Sequence, residues 1–357
     1  MGFIGRLFHL RYLSLQGSGY ACEIPAEIGK LQFLQTLVLL GTSVEELPLC
    51  TFGLTQLMCL FVGWDTRLPN GISNLSCLEA LSVVVDSVYV AEELGHLTEL
   101  RMLDASLRKD KECRWDESIC KVLVGSIGKL HKIQTLRLWT CGMHTELEGS
   151  LVSSLCSLCY LCIDRTSWLP RWIDPASLVL LSHLDIVVDR VRREDIHVLG
   201  MLQALGWLRV RVYGPMQVFE SRFTVSADAF PRVTHCRFHH FSTAPSMFTP
   251  GAMPRLQYFE FQIRLEDFYD GGLFIADNLA FGHLPSLRTV RVRLSGLERV
   301  ISVEEEDVVA MKVEEALWHE AHGHPNHPDA YITVIHGIWL RCMYVLFYLW
   351  FFFLLVQ

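Results

Sequence analysis

Apolar residues in this chain fall in steps of three, three and two. In residues 23–48, EIPAEIGKLQFLQTLVLLGTSVEELP, leucines stand at 31, 34, 37 and 39. An amphipathic helix calls for steps of three and four, and a half-buried strand for twos throughout. Neither covers the run. The last step, Leu37-x-Leu39, puts two side chains on one face of a short strand. The two earlier leucines then lie on the bend that enters it. The pattern predicts a coil made of a bend, a short strand and a return.

The same phase starts again at Leu7, Leu31, Leu54, Leu75, Leu97, Leu130, Leu155, Leu178, Leu202, Phe230, Met253 and Leu284. Two copies are degenerate: Phe230, Val233, Cys236, Phe238 and Met253, Leu256, Phe259, Phe261. One such coil cannot bury its own leucines, but stacked coils share a core and join their strands into a parallel sheet. A fixed period in the twenties with this consensus is the leucine-rich-repeat signature. The expected fold is an α/β leucine-rich-repeat solenoid, a horseshoe of about 12 repeats. Its parallel sheet lines the concave face, and irregular segments or short helices form the convex side. Ile24-Pro25, Leu47-Pro48, Leu68-Pro69 and Leu169-Pro170 mark convex returns, because proline cannot donate to a ladder and pre-sets a turn.

The repeats occupy 1–300. A charged insert, LRKDKECRWDES (107–118), breaks the rhythm as a solvated convex loop or a docking loop. A second long return covers 264–283. Residues 301–330 form a helical cap, with Val308, Met311, Leu317 and Trp318 near one face of the amphipathic stretch 304–320. The tail 331–357 is foreign to the rest. From 338 to 356 it is apolar except for Arg341, long enough to span a bilayer. It reads as a tail anchor or as translated non-coding sequence.

A formal charge of -8 gives no electrostatic footprint for nucleic acid. Twelve scattered cysteines without a secretory signal point to free thiols in a reducing, cytoplasmic setting. Membrane association would come only from the 338–356 segment. Cys156, Cys159 and Cys162 resemble a metal run, but each follows an in-phase leucine, so repeat spacing accounts for them. His319, His322, His324 and His327 miss the H-E-x-x-H spacing by one residue. No phosphate-binding loop or catalytic triad is present, so no enzyme, cofactor or metal is expected.

Binding chemistry belongs on the positions alternating with the buried leucines. From the sixth copy these are Arg137, Trp139, Tyr160, Asp164, His183, Asp185, Trp207, Arg209, Arg211, His235, Arg237, His239, Tyr258, Glu260, Arg291 and Arg293. Arg, Trp and Tyr dominate interface hot spots.

The opening IGRLFHLRYLSLQGS, followed by IPAEIGKLQFLQTLVLLGTSVEELP, resembles the leucine-rich-repeat region of plant nucleotide-binding leucine-rich-repeat disease-resistance proteins, closest to grass members. VEEALWHEAHGHPNHP is similar to the segment closing such domains. The resemblance spans about 1–328. It implies a sensing and autoinhibitory module of an intracellular immune receptor, bound by a pathogen effector, a host guardee or a nucleotide-binding module. The nucleotide-binding module itself is not in the sequence, which suggests a receptor fragment or truncated homologue. The alternative is a non-immune scaffold tethered by its tail.

Overall fold

The computed structural model describes residues 4–18, 23–108, 117–140, 147, 155–214, 216–217, 224–242, 247–264, 280–295 and 303–335. The chain divides into two compact units, 1–190 and 191–357.

The first unit carries eight parallel strands in chain order. They are β1 (Tyr12–Ser14), β2 (Thr36–Val38), β3 (Cys59–Phe61), β4 (Ala80–Val85), β5 (Met102–Leu107), β6 (Thr135–Trp139), β7 (Tyr160–Thr166) and β8 (His183–Val188). Two helices, α1 (Val88–Leu94) and α2 (Glu117–Ile127), lie on its returns. The second unit carries α3 (Arg193–Gly200), β9 (Trp207–Val212), β10 (His235–Ser242), β11 (Tyr258–Arg264), β12 (Thr289–Ser295), α4 (Val303–Gly323) and β13 (Asp329–Ile335). Its strands are also parallel neighbours in chain order.

The three-three-two rhythm has a direct backbone cause. The first step is a turn in which the second apolar residue donates to the carbonyl of the first. Leu34 donates to Leu31 at 2.8 Å, Leu57 to Leu54 at 2.9 Å, and Leu256 to Met253 at 3.0 Å. The second step reaches the strand while locking onto the previous coil: Gln35 and Thr36 both donate to the Arg11 carbonyl. Met58 and Cys59 repeat this on Gln35, and Gln257 and Tyr258 on Thr234. Each coil therefore hangs from its predecessor at the strand entrance.

From the second copy to the twelfth the in-phase positions fill the core; in the first, at the open end of the stack, Leu7 is exposed and Leu10, Leu13 and Leu15 are half-buried. Leu31, Leu34, Leu37 and Leu39 are all inaccessible to solvent, as are Leu130, Ile133, Leu136 and Leu138. The degenerate copies are just as buried, with phenylalanine in place of leucine. Phe259 meets Phe248 and Phe238 edge-on at 5.7 and 6.1 Å and stacks on Phe261 at 4.8 Å. On the return side, Pro25 and Pro48 each precede a 3-10 turn, Ala26–Lys30 and Leu49–Gly53. These turns pack so closely that a Cβ on Gly29 would stand 2.8 Å from the Cys50 Cβ.

Several sequence expectations need correction. The described residues hold thirteen strands, one more than the leucine count. β13 pairs with β12 from Thr289↔Asp329 to Ser295↔Ile335, so it runs across the 330/331 boundary between cap and tail. It belongs to a thirteenth copy whose in-phase positions are His324, His327, Ala330 and Ile332, again in steps of three, three and two. His327 N–H donates to the His324 carbonyl at 3.0 Å, as leucines do elsewhere. On α4 the buried stripe is Ala310, Val313, Leu317 and Ala321, while Met311 and Trp318 are exposed. The spacing of three, four and four around Leu317 favours that side, and two of its members are small alanines. The Val308 side chain lies outside the described residues.

The charged insert closes in α2, which begins at Glu117; residues 109–116 and 265–279 lie outside the described residues, as does the 338–356 segment. Among the described residues, no helix is long and apolar enough to cross a membrane.

Candidate functional site

Alternation along each strand turns the residues between the buried leucines to the open face of the sheet. The register then aligns them in rows across neighbouring strands. In the first unit the middle row is Asp104, Arg137, Cys162 and Asp185. Tyr160 and His183 pair in the row before it, and Ser106 and Trp139 in the row after.

Asp104 organises this group and was not among the residues expected from sequence. It accepts a 2.6 Å hydrogen bond from Trp139 Nε1 and lies 3.8 Å from Arg137 Nη1. Burial lifts its carboxyl above the ordinary value, against the Trp139 hydrogen bond and the Arg137 charge. The Arg137 guanidinium also sits 5.2 Å over the Tyr160 ring, which stacks on His183 at 4.3 Å. Trp64, 66% exposed, comes within 6.1 Å of Trp139. Asp164 is half-buried, and Asp185 is buried rather than displayed. The one arginine of this group is therefore offset by Asp104, and the group carries more acids than bases, so it does not form a basic strip.

The second unit does. Its first row reads Trp207, His235, Tyr258, Thr289 and Asp329; its middle row reads Arg209, Arg237, Glu260, Arg291 and Tyr331. Arg211 pairs with His239, and Gln262 with Arg293, two residues further along. Five arginines thus flank a single glutamate. Arg237 is clamped between rings, 5.1 Å from Tyr258 and 5.9 Å from Trp207. Arg291 lies 5.7 Å over Tyr331.

Glu260 is only 1% exposed, a correction to its expected display, and His239 is buried as well. Arg293 Nε donates to Glu260 Oε1 at 2.8 Å, with Arg293 Nη2 at 2.7 Å from the same oxygen. Tyr258 Oη donates to Oε2 at 2.8 Å. His239 Nε2 stands 3.2 Å from Oε1 and Arg237 Nε 3.5 Å from Oε2. Both nitrogens are buried and off-line for a hydrogen bond, so their hold on Glu260 is electrostatic. Burial alone would raise the Glu260 carboxyl. The close His239 ring, the Tyr258 hydroxyl and the Arg293 charge outweigh it and bring the pKa down to about 2.

His239 reaches this carboxylate from an irregular stretch of β10. The β10–β11 register shifts between Arg237 and Ser242, and His240 takes a left-handed φ of 62°. His240 N–H is caught by Gln262 Oε1 at 3.1 Å, and its ring packs on the Gly214 carbonyl. Burial lowers the His240 pKa, favouring the neutral ring.

The cysteine and histidine runs noted in the sequence are dispersed. Cys156 is exposed, Cys159 half-buried and Cys162 buried. His324 is buried, with Nε2 3.2 Å from the Leu284 carbonyl and Nδ1 accepting from Asn326 N–H; His319, His322 and His327 are exposed. Among the described residues no three His, Cys, Asp or Glu side chains are placed to hold a metal ion.

A family model described as "Leucine-rich repeat region" matches residues 1–330. No curated protein matches the chain in sequence. Among solved structures, it is similar to a leucine-rich-repeat protein of Leptospira interrogans at 15% identity, covering 92% of this chain and 98% of that one, TM-score 0.41. It is also similar to the PEPR1–AtPEP1 complex at 18% identity, covering 82% and 43%, TM-score 0.48. A third is the Arabidopsis receptor kinase HAESA in complex with the peptide hormone IDA and the co-receptor SERK1, at 16% identity, 82% and 43% coverage, and TM-score 0.41. The chain spans less than half of each of the latter two chains.

Proposed function

The chain belongs to the leucine-rich-repeat region family, and from that premise we propose that it is a protein-interaction module gripping its partner with the open face of its sheet. One observation carries this reading: arginine and aromatic side chains line up in register across β9–β12, where solvation alone would be met by lysine. Its role is binding, with no catalysis of its own.

The resemblance to plant disease-resistance proteins supports a finer reading. The module would sense ligand and restrain activation in an intracellular immune receptor, in the cytoplasm. Its partner would be a pathogen effector, a host guardee or a receptor's nucleotide-binding module. The test is capture of a cognate nucleotide-binding module by wild type and by the double variant Trp207→Ala/Arg209→Ala, with circular dichroism confirming the fold of each. The variant should bind more weakly by at least ~2 kcal/mol if these are hot spots. Equal capture would remove the open face of β9 from the interface.

A further inference from the structure

We propose that the β9–β12 face is a receptor for an acidic peptide segment, whose carboxylates bind Arg211 and Arg291 beside a guanidinium framework held by Glu260. This rests on the open face being the partner-binding surface.

The chain carries a net charge of -8, yet this face sets Arg209, Arg211, Arg237, Arg291 and Arg293 around one glutamate. Glu260 does not neutralise them evenly. It takes Arg293 by two nitrogens and draws in Arg237 and His239, while Arg211 and Arg291 stay exposed. A guanidinium has five N–H donors, and one carboxylate cannot occupy those of five arginines. Buried Arg237 Nε and His239 Nε2 still lack a hydrogen-bond partner. His240, next to His239 in the chain, holds a left-handed φ of 62°.

Planar arginine forks match carboxylates in particular, and Glu260 already shows that pairing on this face. Arg211 and Arg291 stand three strands apart, roughly 14 Å across the ladder. That separation suits several carboxylates along an extended segment, not one small anion. Nucleic acid fits less well, because Trp207 and Tyr258 turn ring faces toward Arg237, where stacking bases would need them open.

The test is fluorescence anisotropy of labelled octaglutamate against the full chain. Wild type should bind, with affinity falling as salt rises. Arg211→Gln/Arg291→Gln should weaken binding roughly tenfold or more, since these are exposed positions whose loss leaves the core intact. Arg232→Gln/Arg255→Gln, in the bends ahead of β10 and β11, should match wild type. Equal affinity of wild type and the Arg211/Arg291 variant would overturn the proposal. So would tighter binding of a thymidine oligonucleotide than of octaglutamate, or full competition by inorganic phosphate at the peptide's own concentration. If octaglutamate binds both proteins equally while capture of the nucleotide-binding module still needs Trp207 and Arg209, this inference falls and the interaction reading stands.

Discussion

Replacing Glu260 by glutamine tests whether one buried carboxylate holds the second unit's binding face together. Glutamine keeps the shape and removes the charge, leaving Arg237, Arg293 and His239 facing a neutral amide. The carboxyl's fall from an ordinary 4.5 to about 2 corresponds to roughly 3 kcal/mol of preference for the folded state. Arg237 and Arg293 are themselves about a third exposed, at 35% and 37%, so water screens part of that attraction. A loss of about 2 kcal/mol at neutral pH is the expected effect. The sign follows from the depressed pKa. Stability from Glu260 is fully present above about pH 4.5 and is lost as the pH falls toward 2. The gap between wild type and Glu260→Gln should therefore close over that window. Urea unfolding followed by tryptophan fluorescence at pH 7, 5, 4 and 3 measures it, with amide exchange in β10–β12 as a local readout. A gap that is the same at pH 3 and pH 7 would refute the electrostatic account and leave only a packing role.

Two further outcomes follow from the core and the last coil. Leu136→Asp places an unpaired charge at a fully buried position between Leu103 and Leu161, costing several kcal/mol; exchange protection in β5, β6 and β7 should fall together, and perturbation of β6 alone would contradict a shared core. His324→Ala removes a buried ring that links the Leu284 carbonyl to the Asn326 N–H; the carbonyl keeps the Leu287 N–H, the Asn326 N–H loses its acceptor, and about 1–3 kcal/mol should be lost, with β13 amides exchanging faster and those of β9 unchanged.

Most of the architecture was legible because one residue type reports one backbone event. A leucine three places after another is a turn closed by its own hydrogen bond, and a leucine three places on, with its partner two beyond, is a strand. Where phenylalanine replaces leucine, at Phe230 or Phe259, the phase survives because volume and apolarity do. It fails in the thirteenth copy, where His324 fills the leucine position. There a buried imidazole is tolerated because it bonds the Leu284 carbonyl of the coil before it, a partner no local pattern announces. Histidines that suggested metal chemistry are instead partly repeat positions. The buried face of α4 differs from its expectation for a related reason: Ala310 and Ala321 are less apolar than Met311 and Trp318, yet their small size permits close packing beside Leu317.

The open face shows where pattern stops and chemistry begins. Alternation identifies which residues share that face, but not which of them touch. Asp104 obeys the same alternation as Arg137, and pairing the two changes that patch from basic to compensated. Glu260 stands level with Arg237 and Arg291 in the ladder, yet its carboxylate bonds Arg293, a row further on. His239 reaches the same oxygen from β10, beside the irregular stretch between Arg237 and Ser242 where His240 takes a positive φ. A histidine at positive φ leaves no mark on hydrophobic spacing. The partition that Glu260 creates, holding Arg293 and Arg237 while Arg211 and Arg291 face solvent, sets which side chains can meet a ligand. Substitutions at Arg293 should therefore act through the framework and alter stability with binding, whereas those at Arg291 should alter binding alone.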